Sequence, residues 1–388
     1  MKETKEYLIP DYYPAFRCKM GACRAACCQG WPISVSMANY FRLLGIECRK
    51  ELRDRLDCAL QLVDHPTKEE YARFNPRWDG NCPLRMEDGR CWLHAELGEG
   101  YLPDVCRLYP RGIRADADRE ASCSGSCEGV LELLMHHPEP LTFSRRLMTV
   151  EVPDPWKRYT FFETLGKEQE IRLMLIRAMQ DRSLSLPDRL MRLGEILRQL
   201  DGALKEKDAV LVDRLIAGEY PAVPEFPKMA EADALAYGLE IAEGLLAQLD
   251  ERSDSIRGCG TAALLYFTTG DPMENYRAAK SHMEAGCPGW ESFFENALVN
   301  HMFFSRFPFQ DRPDSLHREF TALCVIYSLM RFLGLGWMAD KDREEDFIDV
   351  CAAAFRLIDH ADFDRYTARE LIRLGCTTPE KLYAFIGL

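Results

Sequence analysis

Residues 187–208 read PDRLMRLGEILRQLDGALKEKD. Leu190, Leu193, Leu197, Leu200 and Leu204 recur there at steps of three and four, which puts all five on one face of a helix. Pro187 suits a first helical turn, where its missing N–H costs nothing. Similar stripes run through Ala234–Leu249, Glu291–Phe304 and Glu345–Ile358. No alternating β-branched run is long enough to predict a large sheet. The fold class is therefore expected to be mainly α, with a helical domain over residues 155–388.

Upstream the pattern changes. Between Pro138 and Pro155 there are four prolines and an alternation of Phe143, Leu147, Val150 and Val152, which marks a boundary. Residues 1–140 form the other expected domain, a cysteine-rich metal-binding module packed on the larger helical one. Tyr12-Tyr13-Pro14 and Phe16 suggest an extended arm through residue 28, since proline disfavours helix in the residue before it. Ser36 to Val63 reads as helix-rich, broken near Gly45. Asn75 to Arg90 is irregular, with the turn dipeptides Asn75-Pro76, Asp79-Gly80 and Asp88-Gly89.

Composition narrows the function. The chain has 388 residues, is 47% hydrophobic and carries a net charge of −13. So acidic a chain is a poor nucleic-acid binder, because neutralising phosphates needs a basic surface. The opening MKETKEYLIPDYYPAF has no apolar run of the kind a secretory signal needs, so a cytoplasmic location is expected. Thr321 to Ala339 is apolar for 19 residues, but Arg331 sits near its middle at a cost of ~2.5–3.5 kcal/mol in a membrane. It is read as a buried core helix, not a membrane span. The pair Gly334 and Gly336 in it is read as packing.

Eleven of the sixteen cysteines fall in the first 127 residues. The first group is Cys18-x4-Cys23-x3-Cys27-Cys28, the second Cys82, Cys91, Cys106, Cys123 and Cys127. Thiolates bind zinc and iron–sulfur clusters above all. In a reducing compartment this crowding argues for metal, not disulfides. The adjacent Cys27 and Cys28 diverge and hardly serve one ion, so they suit a polynuclear centre, two adjacent centres, or one ligand and one structural thiol. The scattered Cys48, Cys58, Cys259, Cys287, Cys324, Cys351 and Cys376 read as small buried hydrophobes. His94 is a lesser ligand candidate, and His136-His137 read as a helix end. No G-x-S-x-G, P-loop, H-E-x-x-H or three-cysteine C-x3-C-x2-C pattern occurs.

Phe16-Arg17-Cys18-x4-Cys23-x3-Cys27-Cys28-Gln29-Gly30-Trp31 resembles the opening signature of flagellin lysine-N-methylases. Cys82-Pro83-Leu84, Cys91, Leu97-Gly98-Glu99-x-Tyr101-Leu102, Cys106-Arg107-Leu108-Tyr109-Pro110-Arg111 and Ser126-Cys127-Glu128 continue the resemblance. Phe293-Phe294-Glu295-Asn296-x-Leu298-Val299-Asn300 and Phe307-Pro308-Phe309 extend it into the C-terminal half. The same cysteines are also similar to those of a wider group labelled zinc- or iron-chelating. The resemblance picks out Cys18, Cys23, Cys27, Cys28, Cys82, Cys91, Cys106 and Cys127 as metal ligands. It leaves out Cys123, where the family commonly has no cysteine. What it implies is methyl transfer to surface lysines of flagellin, with S-adenosylmethionine as donor and a [4Fe–4S] cluster, zinc being the alternative. No glycine-rich donor loop of the Rossmann type is present in the sequence.

Lysine attacks only as the neutral amine, so a desolvating pocket or an acceptor must remove its proton. Tyr101 and Tyr109 lie between the cysteine candidates and are the weak candidates for lining such a pocket. The rival reading is a non-catalytic zinc or iron–sulfur module that recognises a protein partner.

Overall fold

Ser185 accepts a hydrogen bond from Asp188 N with its side chain, and Pro187 follows in the first turn. That cap starts a helix at Leu186 that runs to Glu206, where Lys207 ends it in the left-handed conformation. Leu190, Leu193, Leu197, Leu200 and Leu204 are all buried along it, each worth about 2 kcal/mol in transfer free energy. The computed structural model describes residues 2–24, 27–116, 118–151, 162–249, 255–310, 315–361 and 363–387.

The described residues are mostly helical, with seven strands: β1 (Lys2–Pro10), β2 (Ile33–Val35), β3 (Leu60–Leu62), β4 (Ala72–Phe74), β5 (Arg111–Arg114), β6 (Glu120–Cys123) and β7 (Phe143–Glu151). By its contacts the chain forms two compact units. The smaller holds residues 16–112 and 127–129; the larger holds 1–15, 113–126 and 130–388. The segment from Pro138 to Pro155, where a boundary was expected, carries β7, and residues 152–161 lie outside the described ones.

The smaller unit contains α1 (Met37–Leu44), α2 (Lys50–Ala59), α3 (Trp92–Leu97) and α4 (Asp104–Leu108) beside the antiparallel sheet β2-β4-β3. Its core gathers Val35, Leu43, Leu52, Leu56, Phe74, Leu84 and Leu93. Gly45 closes α1, as expected, but the expected helix ends at Ala59 and β3 follows. Cys58 is exposed and Cys48 half-buried, against the expectation for both. On α2 the core face is set by Leu52, Leu56 and Ala59, and Cys58 points away from it.

In the larger unit the sheet order is β5-β6-β1-β7. β1 was expected only as an extended arm; it pairs with β7 along its whole length, from Lys2↔Glu151 to Pro10↔Phe143, and lies parallel to β6. Its partner stands about 140 residues away in sequence, beyond any local signal. Helices follow as α5 (Glu128–Met135), α6 (Glu168–Met179), α7 (Leu186–Glu206), α8 (Ala209–Ile216), α9 (Glu231–Leu249) and α10 (Arg257–Thr268). The chain continues through α11 (Pro272–Gly286), α12 (Trp290–Ser305), α13 (Leu316–Met338), α14 (Glu344–Ile358), α15 (Phe363–Arg373) and α16 (Pro379–Ile386).

Two helices sit deepest. α13 is the one helix among the described residues long and apolar enough to cross a membrane, and 94% of its apolar window is buried within the protein. A Cβ on Gly336 would stand 2.4 Å from the Cβ of Ala263, and one on Gly334 2.6 Å from the Phe347 ring. The glycines thus let α10 and α14 approach α13 closely. α12 buries polar groups with partners: Glu295 takes Arg189 at 2.6 Å and Arg182 at 3.0 Å. Asn300 donates to Cys123 O at 2.9 Å, and Asn296 donates to His137 O at 2.6 Å. The C-terminal motif read from the sequence is therefore a set of buried tethers. Arg172 on α6 pairs with Glu120 on β6 at 2.8 Å, both nearly inaccessible, and joins helix to sheet. Cys259, Cys287, Cys324, Cys351 and Cys376 are all buried, as expected. His136 Nδ1 meets Glu132 O at the end of α5.

Candidate metal centre

Two loops of the smaller unit carry most of the cysteines, and their backbones are sewn together. Residues 82–91 fold into a tight reversal: Arg85 N donates to Cys82 O, Met86 N to Arg90 O, and Arg85 bridges Cys91. Cys82 N donates to Cys28 O at 2.8 Å, Gly30 N to Gly80 O at 2.8 Å, and Gln29 bridges Asn81. The loops cross at two glycines. Gly21 (φ +108°) and Gly89 (φ +85°) approach so closely that a Cβ on Gly89 would fall 2.4 Å from Gly21 O. Both the positive φ and the approach require residues without a Cβ.

The eight cysteines picked out by the resemblance fall into two groups. Cys18, Cys23, Cys27 and Cys127, together with Cys106, line one cavity of about 50 Å3. Cys28, Cys82, Cys91 and Cys106 lie in or against the apolar core of the smaller unit. Those four affect one another's ionisation: Cys106 is raised well above the usual thiol range by burial, then by Cys91, Cys82 and Cys28. Burial pushes Cys82 up to about 12 and raises Cys91. Cys27 joins the groups, its thiol raised first by a hydrogen bond with Cys28 and then by burial. Of the adjacent pair, Cys27 lines the cavity and Cys28 packs against the apolar core. Cys123 belongs to neither; it is buried in β6 of the larger unit.

Charge surrounds the cavity. Arg17, Lys19 and Glu128 line it. Glu128, 1% exposed, takes Lys19 Nζ at 2.8 Å and the Arg24 backbone N–H at 3.2 Å. Tyr109 is a wall of the cavity and meets Trp31 edge-on at 6.4 Å. Trp31 in turn donates to Cys27 O at 2.8 Å. Tyr101, by contrast, ends a short 3-10 turn and is 46% exposed. His94 lies on α3 and is not a wall of the cavity.

The donor set fits a thiolate centre in kind. All eight cysteines are free thiols; five of them line the small cavity and Cys28, Cys82 and Cys91 lie against the apolar core beside it, where burial holds the thiols protonated until a metal displaces the proton. A space of about 50 Å3 suits an ion or a few inorganic atoms, not a lysine side chain with a methyl donor. Among the described residues, no three His, Cys, Asp or Glu side chains converge on one point at ligand distance. Sequence reading found the cysteines but missed the Gly21–Gly89 crossing and the Glu128 tethers. Asp88-Gly89 was visible as a turn; its partner Gly21 carried no signal of its own.

Comparison with known proteins gives the lineage. A family model for the FliB lysine N-methylase C-terminal domain matches residues 172–384. A lysine-N-methylase of Salmonella choleraesuis (strain SC-B67) is 24% identical over 146 residues, 35% of this chain and 34% of that protein. That of Salmonella typhimurium (strain LT2) is 23% identical over the same shares. The flagellar biosynthetic protein FliU of Salmonella muenchen is 22% identical over 35% of this chain and 81% of its own length. The matched stretch is about a third of the length of the two lysine-N-methylases. No solved structure matches the chain. With the family model covering more than half of its length, the chain belongs to the FliB lysine N-methylase family.

Proposed function

We propose that the chain is a protein lysine N-methyltransferase that acts on flagellin in the cytoplasm, with S-adenosylmethionine as donor. The observation that carries this reading is the match of residues 172–384 to the FliB lysine N-methylase C-terminal domain. The flagellar name of one relative supports a flagellar substrate. In the transfer, the neutral lysine amine forms a bond to the donor's methyl carbon as the carbon–sulfur bond breaks, and the amine proton passes to solvent. The thioether product leaves.

A [4Fe–4S] cluster is proposed for the smaller unit, with zinc as the alternative. Cys18, Cys23, Cys27 and Cys127 would hold it at the cavity; Cys28, Cys82, Cys91 and Cys106 would be a second donor set or structural thiols. A thiolate-bound cluster supplies electron transfer and a thiolate-bound zinc a rigid tetrahedral staple. The chain's own residues do the rest: Arg17 and Lys19 offset thiolate charge, Glu128 tethers Lys19, and Tyr109 closes the wall.

Protein purified without oxygen is expected to be brown and to contain iron. Incubated with flagellin and a labelled methyl donor, it is expected to transfer label to lysines. Serine at Cys23, Cys27 or Cys127 should lower iron content. A colourless zinc protein would replace the cluster with zinc. No mass gain on any flagellin lysine would overturn the enzyme reading in favour of a metal-bearing interaction module.

A further inference from the structure

Four arginines are buried among the described residues: Arg172, Arg189, Arg306 and Arg331. Three of them face carboxylates. Arg172 meets Glu120, Arg189 meets Glu295, and Arg306 meets Asp116, Asp118 and Glu168. Arg331 on α13, 6% exposed, meets none. Its amino groups donate to the hydroxyls of Tyr327 at 3.2 Å and Tyr276 at 3.0 Å, its plane lies 5.6 Å from the Trp290 ring, and its Nε has no partner. Two neutral hydroxyls and a ring face solvate a guanidinium only in part, so a charge withdrawn from water here lacks a counterion among the described residues.

Arg331 is also a wall of a cavity of about 300 Å3 within the larger unit, a size at the lower end of small-molecule sites. Lys228 and Lys280 line the same cavity. Lys228 has a tyrosine for its neighbour, donating to Tyr383 OH at 3.1 Å. Lys280 is 3.9 Å from Glu284 one turn away. Among the described residues the one carboxylate on the walls, Glu231, is taken by Arg277 at 2.7 Å. Leu235, Met229 and Ala384 supply an apolar side.

We propose that this cavity binds a small organic oxyanion, a carboxylate or phosphate head seated on Arg331 with its apolar remainder against Leu235, Met229 and Ala384. The inference stands apart from the methyltransferase reading. The methyl donor has two cationic groups, its sulfonium and its ammonium, against one carboxylate, and three cations lining a cavity repel it. The site is therefore distinct from the donor site and suits an effector or a second substrate.

The test is a thermal-shift titration of the full chain with hexanoate, hexyl phosphate, hexylammonium and S-adenosylmethionine, against sodium chloride at equal ionic strength. Hexanoate or hexyl phosphate is expected to raise Tm saturably; the stronger of the two identifies the head group as carboxylate or phosphate. Hexylammonium and chloride should give no saturable rise. Arg331→Met should abolish the anion response, and Lys228→Glu, at an exposed position, should weaken it about tenfold, the effect of one charge contact of ordinary strength. An Arg331→Met protein that does not fold leaves Lys228→Glu and Lys280→Glu to decide. Equal titrations in wild type and the lysine variants, no saturable response to either anion, or an Arg331-dependent response to S-adenosylmethionine would each overturn the proposal.

Discussion

At the scale of single residues, the crossing of Gly21 and Gly89 is what brings the two cysteine loops together. A side chain at Gly89 meets two penalties: the left-handed backbone, about 1–2 kcal/mol, and the collision with Gly21 O, about 1–3 kcal/mol as for other overpacking. Gly80 separates them. Its φ is +77°, yet a Cβ there would touch nothing within 4 Å. Gly89→Ala is therefore expected to lower stability in urea by more than Gly80→Ala, and to lower bound metal per chain, while Gly80→Ala keeps its metal. Equal losses in both variants would show the crossing to be irrelevant to the centre. The cysteines themselves were legible because ligand chemistry is written in residue type. Their division into two groups was not, because it depends on Cys106 arriving on α4 and Cys127 returning after residue 126.

Among the elements, helices were read well and strands poorly, and the reason is range. A helix such as α7 carries its own signal, a cap at Ser185 and five leucines on one face. α9, α12 and α14 follow the expected stripes closely, though Gly289 before α12 and Arg343 before α14 supply no side-chain cap. Strand β1 carries only half of its signal, since β7 and β6 supply the partners that make Lys2–Pro10 a strand. β2 pairs with β4 about 40 residues on, whereas β3 and β4 pair locally but, at three residues each, are too short to show an alternation. The stripes read as core make a quantitative expectation. Leu197 is 1% exposed, so Leu197→Ala should cost ~2–5 kcal/mol in denaturant unfolding. Val210, 71% exposed, should lose no more than ~0.5 kcal/mol on change to Ala, as surface positions do. A Leu197→Ala loss as small as that of Val210→Ala would mean that α7 does not anchor the helical core.

For the molecule as a whole, two properties bear on the proposed reaction: an acidic surface and a basic substrate. The net charge of −13 attracts a lysine-bearing partner over roughly a Debye length, about 8–10 Å at physiological salt. That attraction aids encounter but holds the amine in its charged form. Free lysine titrates near pH 10.4, so its neutral fraction rises about tenfold per pH unit through the neutral range. Under the proposed chemistry, methylation at saturating flagellin should rise with pH with a slope near one on logarithmic axes, levelling where the bound lysine titrates. A plateau below pH 10.4 would report a lysine whose charge is disfavoured by burial, which lowers the pKa of a cation. Added salt should slow the reaction by lowering kcat/KM, with kcat little changed, because screening acts on encounter and not on the bound amine. These two dependences fail separately. A rate flat in pH would remove amine deprotonation from the rate-determining path, whereas a rate indifferent to salt would leave the chemistry and remove the acidic surface from substrate capture.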